Sequence, residues 1–70
     1  MKKKAIIIGL GGMGQRYYKC LKKMNFKIVG ICDKKSEKVK NFITEKNIFI
    51  TKDYKNLLPL KADLLCVVSN

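Results

Sequence analysis

A glycine-rich turn restricts what this chain can become more than any other feature. Gly9-Leu10-Gly11-Gly12-Met13-Gly14 follows a short apolar run, Ala5-Ile6-Ile7-Ile8, and opens an amphipathic segment. A second apolar run ends at Ile31-Cys32-Asp33, roughly twenty residues after the last glycine. Glycines cluster by chance, so the G-x-G-x-x-G spacing alone says little. A strand before it, a helix after it and an acid at that distance make it the dinucleotide-binding pattern. Each position has a physical task. Gly9 lets the chain turn sharply off the strand. Gly11 has no Cβ, so a pyrophosphate can approach the backbone. Gly14 lets the helix pack closely on the strand. The helix is predicted to begin near Gly12 or Met13, which aims its free N–H groups and the positive end of its dipole at the phosphates. Asp33 is predicted to accept hydrogen bonds from the two hydroxyls of the adenosine ribose. The competing reading is a glycine-rich turn that binds nothing.

The apolar periodicity places this motif in a repeating pattern. Strands are predicted over residues 3–9, 27–32, 48–50 and 64–68, the first buried on both faces as parallel strands are. A helix is predicted over 13–24, with Met13, Tyr17, Leu21 and Met24 as its core stripe, Cys20 beside them and Asn25 at its end. Ser36 is predicted to cap a second helix running to about residue 46, with Val39, Phe42 and Ile43 as its apolar stripe and Asn47 at its end. Asp53 can cap a brief helical turn over 54–58, which Pro59 closes. The order β-α-β-α-β-α-β implies an α/β fold: a partial doubly wound parallel sheet of Rossmann type, with right-handed crossovers and strand order 3-2-1-4. The fourth strand lies at the sheet edge.

Composition narrows the partners. The net charge is +11, from 16 basic and 5 acidic residues. All the basic residues but Arg16 are lysines spread along the chain. They read as solvated faces, Lys19, Lys22 and Lys23 on the first helix and Lys34, Lys35, Lys38, Lys40 and Lys46 on the second. Aromatic–arginine interleaving of the kind single-stranded nucleic acid prefers is absent, which disfavours a nucleic-acid partner. Cys20, Cys32 and Cys66 have no C-x-x-C spacing and read as reduced, buried small hydrophobes. With no histidine and no cysteine pair, no metal site is expected, and the commonest general base is missing. Met1-Lys2-Lys3-Lys4 precedes too short an apolar run for a secretory signal, and no run approaches a membrane span. These features predict a cytoplasmic protein.

The chain resembles the amino terminus of the Gfo/Idh/MocA oxidoreductases. The resemblance is carried by Lys4-Ala5-Ile6-Ile7-Ile8-Gly9-Leu10-Gly11-Gly12-Met13-Gly14-Gln15-Arg16-Tyr17 and by Ile28-Val29-Gly30-Ile31-Cys32-Asp33. Thr51-Lys52-Asp53-Tyr54-Lys55-Asn56-Leu57-Leu58 and Ala62-Asp63-Leu64-Leu65-Cys66-Val67-Val68-Ser69-Asn70 extend it over essentially the whole chain. Tyr17 stands where members often carry histidine. The family's catalytic lysine, in a Glu-Lys-Pro motif after the next strand, does not occur within the 70 residues, nor does a substrate domain. The resemblance therefore implies that residues 1–70 are the amino-terminal part of a dinucleotide-binding domain from a sugar or cyclitol dehydrogenase, supplying cofactor binding but not catalysis.

The candidate cofactor-binding residues are Gly9, Gly11, Gly12, Met13, Gly14 and Asp33, with Ser69 at the start of the loop after the fourth strand. No catalytic residue is assigned. The expected cofactor is NAD, because the Asp33 carboxylate repels a 2′-phosphate. Lys34 and Lys35 offset that repulsion and keep NADP as the alternative. Two other readings use the same residues: a nucleotide-sensing regulatory module and an inactive remnant. The apolar, unpaired fourth strand predicts self-association.

Overall fold

A computed structural model describes residues 2–68. Four parallel strands, β1 (Lys4–Ile8), β2 (Lys27–Cys32), β3 (Phe49–Thr51) and β4 (Leu64–Val67), form one sheet in the order β3-β2-β1-β4. Helices α1 (Gly12–Lys23) and α2 (Ser36–Phe42) and a 3-10 turn, Tyr54–Leu57, make the crossovers. The predicted fold class and strand order are therefore those observed.

β1 runs through the centre of the sheet. Ala5 and Ile7 are wholly buried on one face, while Ile6 is buried on the other. Simple alternation would put Ile28 and Ile31 of β2 on opposite faces. Both instead pack in the cluster that contains Ala5, Ile7, Leu21 and Val39. The register explains this: Ala5 pairs with Ile28 but Ile6 pairs with Gly30, so Val29 is the extra residue of a bulge. The bulge turns both isoleucines toward α1 and α2. On the opposite face the 3-10 turn lies over Gly30, where a Cβ would press on Leu57 and Leu60.

The core stripe of α1 differs from the predicted one. Gly14, Tyr18 and Leu21 are buried, whereas Met13, Tyr17 and Met24 are exposed. Cys20 is exposed too, Cys66 is half-buried, and only Cys32 is buried. The cause is the seat of Gly14, where a Cβ would collide with the carbonyl oxygen of Gly9. That contact puts Gly14 against the sheet, and Tyr18 and Leu21 follow it at helical spacing. The Tyr18 hydroxyl donates to Oε1 of Glu45 at 2.6 Å, and its ring meets Phe42 edge to face. Burial, followed by the Glu45 hydrogen bond and charge, pushes the Tyr18 phenol above its ordinary range.

α2 is also displaced from its predicted limits. Lys35, not Ser36, occupies the N-cap position, because Asp33 Oδ1 accepts the Lys35 N–H at 2.8 Å and starts the turn early. The helix ends at Phe42 rather than near residue 46. Ile43 turns extended and is buried, and Glu45 is held by Tyr18 and by an ion pair with Lys22. Asn25 has the left-handed backbone, φ 67°, that ends α1. Asp53 caps the 3-10 turn as predicted, its Oδ1 accepting from Lys55 N–H at 3.0 Å.

A chain of this size has a margin of roughly 3–5 kcal/mol. Tyr18→Ala is expected to cost about 3–5 kcal/mol, as for other buried rings, and so to abolish cooperative unfolding. Tyr17→Ala is expected to stay within about 0.5 kcal/mol of wild type. Thermal unfolding followed by circular dichroism checks the pair; a greater loss from Tyr17→Ala than from Tyr18→Ala would place the core stripe one residue earlier.

Candidate functional site

The carboxyl ends of parallel strands leave backbone groups unpaired, and here those of β1 and β2 are joined by the glycine turn. Gly9 N–H donates to the Cys32 carbonyl at 2.7 Å, and Leu10 N–H donates to Asp33 Oδ2, also at 2.7 Å. Val68 N–H donates to the Ile8 carbonyl at 2.8 Å from the other side. Gly9 has φ 95°, and a Cβ there would collide with the Val68 carbonyl oxygen. The turn therefore requires glycine on two counts, dihedral and space.

Beyond the turn, Gly11 is the N-cap of α1 and offers no side chain to it. The first intrahelical bond runs from Gln15 N–H to the Gly11 carbonyl at 2.9 Å. The N–H groups of Gly12, Met13 and Gly14 accordingly have no acceptor within the helix. No acidic side chain lies in the first turn to compete for them, and the space a Cβ of Gly12 would enter is open. Such an end has the donor set and dipole to receive a phosphate.

These groups border a cleft of about 660 Å³. Gly9-Leu10-Gly11 and Cys32-Asp33 form one side, while Lys35, Lys38, Lys52 and Tyr54 are among its other lining residues. Asp33 is half-buried. Burial would raise its carboxyl, but the N–H groups of Lys35 and Leu10 and the charges of Lys35 and Lys38 outweigh it and hold the carboxyl below its ordinary value. Burial, and then the charges of Asp53 and Asp33, push the neighbouring Cys32 thiol up.

The structure thus brings Gly9, Gly11 and Asp33 to the cleft, with Gly12, Met13 and Gly14 at the helix end beside it. Ser69 lies outside the described residues. Lys38, Lys52, Asp53 and Tyr54 were not singled out as site residues, yet all line the cleft. Topology carries the missing signal. A segment that follows β3 must emerge at the same sheet end as the glycine turn, which places Lys52, Asp53 and Tyr54 there.

A glycine turn leading into an uncapped helix, at the carboxyl end of a parallel 3-2-1-4 sheet, defines a Rossmann-type dinucleotide-binding domain. The chain belongs to the Gfo/Idh/MocA oxidoreductase family: the model of that family, described as an NAD-binding Rossmann fold, matches residues 3–70. Its cofactor is NAD(P). No curated protein matches the chain. Among the described residues no helix is long and apolar enough to cross a membrane.

The lowered Asp33 carboxyl makes stability depend on pH with a definite sign. The native state favours the ionised form, so the contribution is fully present above the ordinary carboxyl value of 3.8 and is lost as pH falls through the lower native value. Urea denaturation at a series of acidic pH values should show this fall, and Asp33→Asn should flatten it. An identical acid profile for the two proteins would contradict the assignment.

Proposed function

We propose that Gly9, Gly11, Gly12, Met13 and Gly14 seat the pyrophosphate of NAD, that Asp33 receives the adenosine ribose, and that Ser69 joins the site from the loop after β4. The observation that carries the reading is the open, acid-free amino end of α1, delivered to the cleft by a turn that only glycine can make. NAD held here supplies a hydride acceptor for the carbinol carbon of a sugar or cyclitol. Asp33 sets a preference for NAD over NADP through repulsion of a 2′-phosphate, and the lysines around the cleft moderate that preference.

In this reading residues 1–70 form the amino-terminal part of the cofactor domain and supply binding without turnover. The chain has no histidine. The two carboxylates of the cleft are already engaged, Asp33 by the N–H groups of Leu10 and Lys35, and Asp53 by that of Lys55. The same reading assigns the protein to the cytoplasm, a compartment that suits three cysteines without C-x-x-C spacing.

Calorimetric titration with NAD tests the site. Gly11→Val should abolish binding, because its side chain would stand in pyrophosphate space; unchanged affinity would refute the proposal. The purified chain should bind NAD yet show no steady reduction of it with any polyol.

The same reading extends to self-association through β4. Leu65 and Val67 are exposed on the edge strand β4, beside an apolar groove of about 470 Å³ that also includes Leu57, Leu58 and Leu60. Exposed apolar surface and free backbone groups coincide there. The +11 charge opposes association at low salt, and screening weakens that opposition. Sedimentation should therefore show association growing from low to moderate salt; a monomer at both would refute it.

A further inference from the structure

We propose that Asp33 is also the positioning residue of the glycine turn, so that one carboxylate sets both the ribose contact and the shape of the pyrophosphate seat. The proposal rests on the dinucleotide reading above and adds a second role to the acid.

The argument begins at Leu10. Its side chain is 3% exposed and packs in the core with Tyr18 and Leu21, so the residue cannot swing outward. Its backbone lies between the left-handed Gly9 and the helix N-cap Gly11. Its N–H is part-buried, and Asp33 Oδ2 at 2.7 Å is its partner among the described residues. Without that oxygen, water or a rotated peptide would have to satisfy the donor, and rotation of this peptide moves Gly11 and the first N–H groups of α1.

The acceptor is itself fixed. Asp33 N–H donates to the Thr51 carbonyl at 3.0 Å, which ties the residue to the end of β3, and Oδ1 accepts the Lys35 N–H at 2.8 Å. The residue is thus held from three directions, its carboxylate from two of them, before any ligand arrives. An ionised carboxylate offers about four lone-pair sites. Two are used by the protein, which leaves two for ribose hydroxyls. An acid that read only the ribose would have no need of the bond to Leu10.

The two roles separate with a nucleotide that lacks the hydroxyls. ADP and 2′,3′-dideoxy-ADP are titrated into wild type, Asp33→Ala and Asp33→Asn. Asp33→Ala is expected to weaken dideoxy-ADP about tenfold or more, the scale of one lost hydrogen bond to a charged acceptor. Asp33→Asn, whose amide oxygen can still accept from Leu10 N–H, is expected to recover part of that loss. A loss confined to ADP, with dideoxy-ADP unchanged, overturns the positioning role.

A ligand-free measurement tests the same contact. In the nuclear magnetic resonance spectrum of the free chain, the Leu10 amide proton should titrate with the Asp33 carboxyl, and its hydrogen exchange should quicken in Asp33→Asn. A Leu10 amide indifferent to both overturns the proposal even where neither nucleotide binds, an outcome that would separately refute the dinucleotide reading.

Discussion

The approach of Gly14 to the carbonyl of Gly9 is the contact on which the rest of the molecule is indexed. It brings α1 against the turn that follows β1, because no side chain on Gly14 separates helix from turn. With that seat fixed, the helical repeat decides which residues reach the sheet. Tyr18 and Leu21 do, and the apolar Met13 and Met24 do not. The same seat decides where the amino end of α1 points. Packing and ligand chemistry are therefore consequences of one backbone approach. A change at this contact should disturb both together rather than either alone.

Electrostatics reinforce that arrangement locally, against a background that is almost uniformly positive. Sixteen basic residues surround five acidic ones. In such a field an isolated carboxylate finds cations readily, and an exposed ion pair contributes little. Asp33 is distinguished by its backbone partners instead. Two N–H groups converge on it from different elements, Leu10 from the turn and Lys35 from the start of α2. The carboxylate consequently ties the β1–α1 and β2–α2 connections to each other at the sheet end where both emerge.

The fold was legible because its signals were redundant. Strand, glycine turn, helix and acid each fixed the others, and β4 could be read from its apolar run alone. What escaped the sequence came from three-dimensional compensation. The α1 stripe is ambiguous in one dimension, since Met13-Tyr17-Leu21-Met24 and Gly14-Tyr18-Leu21 are both helical repeats. Only the close approach at Gly14 chooses between them. The bulge at Val29 leaves no mark in an unbroken Ile-Val-Gly-Ile run; it appears only when β2 is paired with β1. Ser36 looked like a cap because its residue type favours that position. The Asx turn of Asp33 started the helix first. Around the cleft, the motif residues were readable, while Lys38, Lys52 and Tyr54 arrive through topology.

The two faces of the sheet are unequally finished, and that asymmetry links stability to function. On one face α1 and α2 enclose Ile7, Ile28 and Ile31, among the most completely buried side chains of the molecule. On the other, a single 3-10 turn covers Ile6 and Gly30, and Leu58, Leu65 and Val67 stay exposed. Resistance to opening should follow buried apolar contact, highest at β1 and β2 and lowest toward β4. The glycine turn stands on that boundary. Its Cys32 and Asp33 contacts come from the end of the inner strand β2, whereas Val68, which bonds Ile8 and crowds Gly9, follows the edge strand β4. The glycine turn is thus anchored from the inner strand β2 and from the less covered edge strand β4.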